Sequence, residues 1–329
     1  MMSLRIVFLG SDPIALPALD WLAGEGSAIG EVVAVATQPD RPAGRGQAVQ
    51  ANGIKRWALE RGLPVHQPEK LGESDVAWLA ARQADVALVM AYGHILREAF
   101  IGTPRLGTLN LHASLLPGYR GASPIQTAVA GGERITGVSL MRIVRKLDAG
   151  PVADRESVTV GPLDTALDIE SKLAAAGVPL LARALPKLAQ GALTFTDQDE
   201  ARATYCRRLV KEDGDLDFSA PASTLAARIN GLFPWPCCSV EMKGQPVKLG
   251  LADVAGHAAG GAPGTVAGAD ADGLLVATGE GTLRLRKLQR PGGRMLPAAE
   301  FLRGFPIPAG EKIPSRPMSI LVKSIPFRS

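Results

Sequence analysis

The chain has 329 residues, 46% of them hydrophobic and 21% charged, with a formal net charge of +4. That length allows two domains that each bury a core, and the composition excludes a disordered chain. No apolar run approaches the roughly 18 residues of a membrane span, and the N-terminus MMSLRIVFLGSD lacks a cleavable signal pattern, so a cytoplasmic protein is expected.

The first element in the chain is LRIVFLG, an almost continuously apolar run ending in glycine, as a parallel strand buried on both faces requires. SDPIALPALDWLAGEG then reads as a helix with Ser11 or Asp12 as its cap and Pro13 in its first turn. EVVAVAT, DVALVMA and GTLNLHA repeat the strand pattern, with helical segments NGIKRWALERG and ESDVAWLAARQ between them. Alternating β and α units predict an α/β fold with a doubly wound, Rossmann-like parallel sheet. The first strand leads into GSDPIA, which lacks the GxGxxG of a dinucleotide site, and no GxxxxGK[ST] occurs, so neither a nicotinamide cofactor nor P-loop chemistry is expected.

Residues 37 to 47, TQPDRPAGRGQ, hold two prolines, two glycines and the arginines Arg41 and Arg45. They predict an exposed, mobile loop that lays guanidinium groups on phosphate; a plain connection is the alternative. Its length, and Asp40 as the one acidic neighbour, favour binding.

In TLNLHASLLPGYRGASP, residues 108 to 124, alternation puts Asn110 and His112 on one face of a strand and Leu109 and Leu111 on the other. A buried, satisfied histidine is the plain alternative to a catalytic one. The run into Pro117, Gly118, Gly121 and Pro124 favours catalysis, because it sets the polar pair beside a shaped loop at a strand's carboxyl end, where open α/β sheets bind ligands. Residues 135 to 160 read as two β runs joined by KLDAGP. Asp148 in that turn is by itself a turn-former and gains weight only beside Asn110 and His112.

A long helix is predicted from about Asp164 to Leu188, followed by a polar, irregular linker, GALTFTDQDEARATYCRRL. Beyond it, helical PASTLAARINGL precedes the short β runs CSVEM, QPVKLGLADV, GTVAGA, GLLVATGEG and TLRLRKLQ, which suit a small OB-like barrel. The division expected is a first domain over 1–190, a linker over 191–208 and a second domain over 209–329. From Gly281 to Ser329 ten basic residues face two acidic ones, Glu300 and Glu311. That end suits a polyanion, or is simply a solvated basic surface. Cys206, Cys237 and Cys238 have neither CxxC spacing nor a nearby histidine pair; they read as small apolar residues in a reducing compartment, and no metal is expected.

NLHASLLPGYRGASPI followed by LDAG resembles the signature of the formyltransferases that use 10-formyltetrahydrofolate. TQPDRPAGRG near the start and the β-rich C-terminal half make the chain similar to the branch that acts on initiator methionyl-tRNA, and FLGSDPIA, AYGHIL, FPWPCCSVEMKGQPVKL and APGTV extend the likeness along nearly the whole chain. The resemblance implies a catalytic trio of Asn110, His112 and Asp148. It implies a folate site along Ser114, Leu115, Leu116 and Pro117 and at the strand end and turn carrying Met90, Tyr92, Ile95 and Leu96. It also implies contact between Arg41, Arg45 and the tRNA acceptor end, with the C-terminal domain on the acceptor arm and the protein a monomer. GSDPIA stands where the family usually has a threonine and an aromatic, and LDAGP stands for the commoner LDTGD.

On that resemblance the chemistry is acyl transfer, with the Asn110 amide and a His112 imidazolium donating to the oxygen where charge develops. Asp148 would raise the basicity of His112 or hold a relaying water. Single-domain relatives that formylate glycinamide ribonucleotide would not need the residues after about 207, and the GxGxxG of an amino-sugar enzyme's fused dehydrogenase is missing. A tRNA-binding protein with an α/β scaffold is the alternative from another class.

Overall fold

The computed structural model describes residues 3–43, 48–256 and 260–327. The chain packs as two units, one of residues 1–120, 137–158 and 170–203, the other of 121–136, 159–169 and 204–329.

The first unit is built on a seven-stranded sheet. Its strands are β1 (Leu4–Gly10), β2 (Gly30–Ala36), β5 (Val65–His66), β6 (Val86–Met90), β7 (Thr108–His112), β9 (Ile135–Arg142) and β10 (Val152–Thr159), in the order β10-β9-β7-β6-β1-β2-β5. Between them in the chain lie the short strands β3 (Arg41–Ala43), β4 (Ala48–Gln50) and β8 (Arg120–Gly121). β1 runs parallel to both β2 and β6, β6 is parallel to β7, and β9 is antiparallel to β7. The sheet is thus mostly parallel, as its apolar strands predict: β6 is buried at every position, and β1 at every position but Arg5. The chain moves outward from β1 to β2 and β5, then returns to β6 on the other side of β1. That reversal opens a crevice at the carboxyl ends of β1 and β6, next to the end of β7.

The helices in chain order are α1 (Leu16–Ala23), α2 (Gly53–Glu60), α3 (Glu73–Ala81), α4 (Glu98–Ile101), α5 (Pro124–Ala130), α6 (Ala166–Ala189), α7 (Ala222–Leu232) and α8 (Ala298–Gly304). A 3-10 turn, Pro13–Ala15, leads into α1, and Asp12 caps it by accepting from the Ile14 N–H at 3.0 Å. Ser11 is used elsewhere: its hydroxyl donates to Tyr92 O at 2.9 Å and accepts from the Gln38 N–H at 3.0 Å, tying together the chain just beyond β1, β2 and β6. No helix among the described residues is long and apolar enough to cross a membrane.

Two stretches read from sequence as loop and linker hold backbone pairs. β3 and β4 pair antiparallel on either side of residues 44–47, Arg41 opposite Gln50 and Pro42 opposite Val49. Pro39 and Pro42 hold the approach extended, which a ladder accepts. The polar stretch after α6 docks on the sheet edge, where the Val152 N–H donates to Thr196 O at 2.8 Å and the Thr196 N–H returns a bond to Val152 O at 2.9 Å. An edge strand has unpaired backbone groups that such a segment satisfies.

In the second unit β11 (Tyr205–Cys206) pairs with β18 (Val322–Lys323), and β12 (Cys238–Met242), β13 (Gln245–Ala255), β14 (Val266–Ala269), β15 (Leu274–Ala277) and β16 (Thr282–Gln289) form an antiparallel sheet in the order β12-β13-β16-β15-β14, with β17 (Leu296–Pro297) on β16. Leu225, Ile229 and Leu232 of α7 pack with Val247, Leu249, Leu285 and Leu288 in its core. A Cβ at Gly231 would lie 2.2 Å from the Ala130 backbone N, so only glycine lets α7 approach α5 this closely. The three cysteines are buried free thiols.

Candidate active site

β7 delivers the predicted alternation. Leu109 and Leu111 are buried, His112 is buried on the opposite face, and Asn110, two positions before it on that face, is half-buried. His112 Nε2 lies 3.0 Å from Tyr119 O, a carbonyl that can only accept, so Nε2 carries a hydrogen. Nδ1 faces the Asp148 carboxylate, 3.7 Å from Oδ2, close enough for charge attraction and beyond hydrogen-bond reach. Among the described residues no hydrogen bond engages the Asn110 side-chain amide.

Asp148 sits in the left-handed region at φ 45°, in the turn between β9 and β10. Gly150 closes that turn against β9, since a Cβ there would stand 1.8 Å from Arg142 O. The side chain of Gln198 holds the turn, its Nε2 donating to Asp148 O at 2.8 Å and to Gly150 O at 2.7 Å. Gln198 lies in the stretch read from sequence as a linker, and nothing in its local spacing points to the site.

The SLLP loop is fixed from below. Ser139, opposite His112 in the β7–β9 register, donates its hydroxyl to Ser114 O at 2.7 Å and accepts from the Leu116 N–H at 3.0 Å. Ser114 is buried and spends its own hydroxyl on Gly118 O at 2.7 Å. Leu116 is buried against Met141 and Val152, and Arg155 Nε donates to its carbonyl at 3.0 Å. Leu115 and Pro117 are half-buried.

At the end of β6, Met90 and Tyr92 are buried, Leu96 packs partly against the cluster that holds Tyr92, and Ile95 is 91% exposed. The Tyr92 hydroxyl is buried with no hydrogen-bond partner among the described residues, and burial, then the Asp75 charge, pushes its ionisation well above the usual phenol range. The side-chain surface these segments offer a ligand is therefore that of Ile95, Leu96, Leu115 and Pro117. Met90, Tyr92, Ser114 and Leu116 offer chiefly backbone.

Arg41 is exposed and pairs with exposed Glu69 at 2.7 Å. Asp40, the acidic neighbour seen in the sequence, is taken by Lys55 at 2.6 Å and Gln67 at 2.8 Å, which hold its carboxyl below the usual carboxylate range. Arg45 lies outside the described residues. The basic excess of the C-terminal end is smaller than the count implies. Arg284 and Arg286 pair with Asp253, Asp270 and Asp272, and Arg316 lies 3.5 Å from Asp215. Among the described residues Lys287, Arg290, Arg294, Arg303, Lys312 and Lys323 are in no ion pair. No group of histidine, cysteine and carboxylate side chains there could hold a metal ion.

The sequence matches the formyl transferase family over residues 4–185 and the formyl transferase C-terminal domain over residues 208–306. It is similar to the methionyl-tRNA formyltransferase of Aromatoleum aromaticum, with 42% identity over 311 residues, 94% of this chain and 96% of that one. The methionyl-tRNA formyltransferase of Ectopseudomonas mendocina is 45% identical over 295 residues, 89% of this chain and 92% of that one. In fold the chain is similar to the sugar 3N-formyl transferase WlaRD (TM-score 0.66, 15% identity, 89% of this chain and 100% of that one). It is also similar to HypX from Aquifex aeolicus in complex with tetrahydrofolic acid (TM-score 0.60, 17% identity, 92% of this chain), of which it spans 47% of the length. At these identities the likeness to the solved structures is one of fold alone.

Proposed function

The chain belongs to the formyltransferase family, and from that premise we propose that it transfers the formyl group of 10-formyltetrahydrofolate to the α-amino group of initiator methionyl-tRNA. The observation that carries the reading is the meeting of His112 and Asp148 beside an unengaged Asn110 amide, at the carboxyl edge of the sheet. An unpaired amide donor at a strand end suits a carbonyl ligand, and the half-buried apolar surface of Leu96, Leu115 and Pro117 suits a flat heterocycle.

When bound, the folate supplies an activated formyl carbon to the amine. Asn110 donates to the formyl oxygen as negative charge grows there, a role worth about 2.7 to 4 kcal/mol of barrier. His112 has its Nε2 hydrogen committed to Tyr119 O and turns Nδ1 toward Asp148, so the donation to the formyl oxygen expected of it beside Asn110 is left to Asn110 in this reading. The reaction takes a proton from the amine and returns one to the leaving nitrogen, and the task of holding it on the way is assigned to His112 with Asp148. Catalytic hydrogen bonds are often long before substrate binds, which fits the gap between the two side chains. Arg41 and Arg45 are assigned to the tRNA acceptor end, and the cations without ion pairs in the C-terminal unit to the acceptor arm. With the reading go a functional division into 1–190, 191–208 and 209–329, a cytoplasmic location and a monomer.

The test is formyl transfer from 10-formyltetrahydrofolate to charged initiator methionyl-tRNA, with His112→Ala and the double variant Arg41→Ala/Arg45→Ala alongside. Transfer lost in the first and weakened in the second is expected, with affinity for the tRNA falling steeply as salt rises. Consumption of formyl-folate without transfer to the tRNA would overturn the substrate assignment and point to a small-amine transferase or a hydrolase.

A further inference from the structure

Arg120 is wholly buried, and such a guanidinium persists only where acceptors meet it. Its Nε and Nη2 both donate to Gln198 Oε1, at 3.1 and 2.8 Å, and Nη2 also reaches Glu200 Oε1 at 2.9 Å. Lys146 holds the other oxygen of Glu200 at 2.6 Å, and these two cations, Arg120 first, keep that carboxylate ionised down to about pH 2.

Arginine can only donate, so it fixes which end of the Gln198 amide faces it. The oxygen turns to Arg120, and the NH2 group is left aimed at Asp148 O and Gly150 O, the two carbonyls it binds. Arg120 also follows Tyr119, whose carbonyl holds His112 Nε2. One buried guanidinium therefore references both members of the pair, His112 through the adjoining residue and Asp148 through Gln198. A non-glycine residue at φ 45°, as Asp148 is, keeps that conformation only where its surroundings impose it.

We propose that Gln198, oriented by Arg120, is a positioning residue for formyl transfer, clamping the Asp148 turn so that its carboxylate faces His112. The proposal rests on the functional reading above and adds to it residues outside the trio, from a stretch that looks like a linker. Gln198→Glu is the informative change: a carboxylate keeps the bonds to Arg120 but has no hydrogen to give the two turn carbonyls. Gln198→Met removes both functions at similar size.

Wild type, Gln198→Glu, Gln198→Met, Asp148→Asn and the double variant Gln198→Glu/Asp148→Asn are compared in steady-state formyl transfer, with melting curves. The ring-nitrogen resonances of His112 are recorded for wild type and Gln198→Glu. A misplacement of the carboxylate by about 1 Å is expected to cost Gln198→Glu on the order of a hundred-fold in kcat. KM for both substrates should stay within about two-fold, and Gln198→Glu should add little once Asp148→Asn is present. The His112 resonance should shift in Gln198→Glu. An undiminished kcat, an equal further loss in the Asp148→Asn background, or an unmoved His112 resonance in a folded variant would each overturn the positioning role. Absence of transfer by the wild type overturns the functional reading instead, and the His112 resonance then decides the clamp by itself.

Discussion

His112 Nδ1 stands 3.7 Å from Asp148 Oδ2, while its Nε2 is tied to Tyr119 O at 3.0 Å. The ring is held by one edge and presented by the other. The tied edge sets its orientation; the free edge is where the charge of Asp148 acts.

Asp148→Asn keeps the size of the side chain and removes that charge. We expect kcat to fall about 10²- to 10⁴-fold, the range a positioned acid–base group contributes. KM for folate and tRNA should change by less than about three-fold, since uniform binding is untouched. A variant with near wild-type kcat in the steady-state assay would remove Asp148 from the chemistry.

Gly150→Ala forces a methyl group to within 1.8 Å of Arg142 O, backbone that cannot swing aside. A loss of about 1 to 3 kcal/mol is expected, with transfer falling by more than stability alone explains, because the Asp148 turn must move. Gly177→Ala is the control. It lies inside α6 with nothing within 4 Å of the added carbon, and should gain about 0.5 to 1 kcal/mol from helix propensity. Denaturant unfolding of both variants beside wild type measures the contrast.

Asp213 is wholly buried and accepts from Arg207 Nη2 at 2.6 Å, Arg207 Nη1 at 2.8 Å and the Val210 N–H at 2.8 Å. Burial pushes its carboxyl up, but Arg207, Ser319 and the Val210 N–H together outweigh it and hold it below the usual range. With the folded value below the unfolded one, near 3.9, its stabilisation is present above that value and is lost as pH falls through the folded one. Asp213→Ala should therefore cost about 3 kcal/mol at neutral pH and progressively less as pH falls below the unfolded value. Unfolding free energies for variant and wild type at several pH values decide it; a difference that stays constant into acid would contradict the assignment.

Tyr92→Phe removes a buried hydroxyl that has no partner among the described residues. Such a group carries a desolvation cost of about 1 to 3 kcal/mol, so the variant is expected to melt at or above the wild-type temperature. A clear drop in melting temperature would mean that the hydroxyl is satisfied in solution.

The strands and the main helices were legible because their signals are local. The periodicity of β7 alone puts Asn110 and His112 on one face, and the helix expected over 164–188 is α6, Ala166–Ala189. Polar partners were not, because composition does not say what a polar side chain meets. Asp12 rather than Ser11 caps the first turn because Ser11 has Tyr92 O and Gln38 N within reach. Arg41 has its carboxylate in Glu69, and Arg284 and Arg286 find theirs in Asp253, Asp270 and Asp272.

The sequence by itself determined the strand register that sets Asn110 beside His112, the shaped loop after them and the turn that carries Asp148. Those depend on side-chain alternation and on where proline and glycine break a regular element. Only the tertiary structure decided what holds that turn. Arg120, Gln198 and Asp148 are far apart along the chain, and they meet only after the segment following α6 has docked on the edge strand β10.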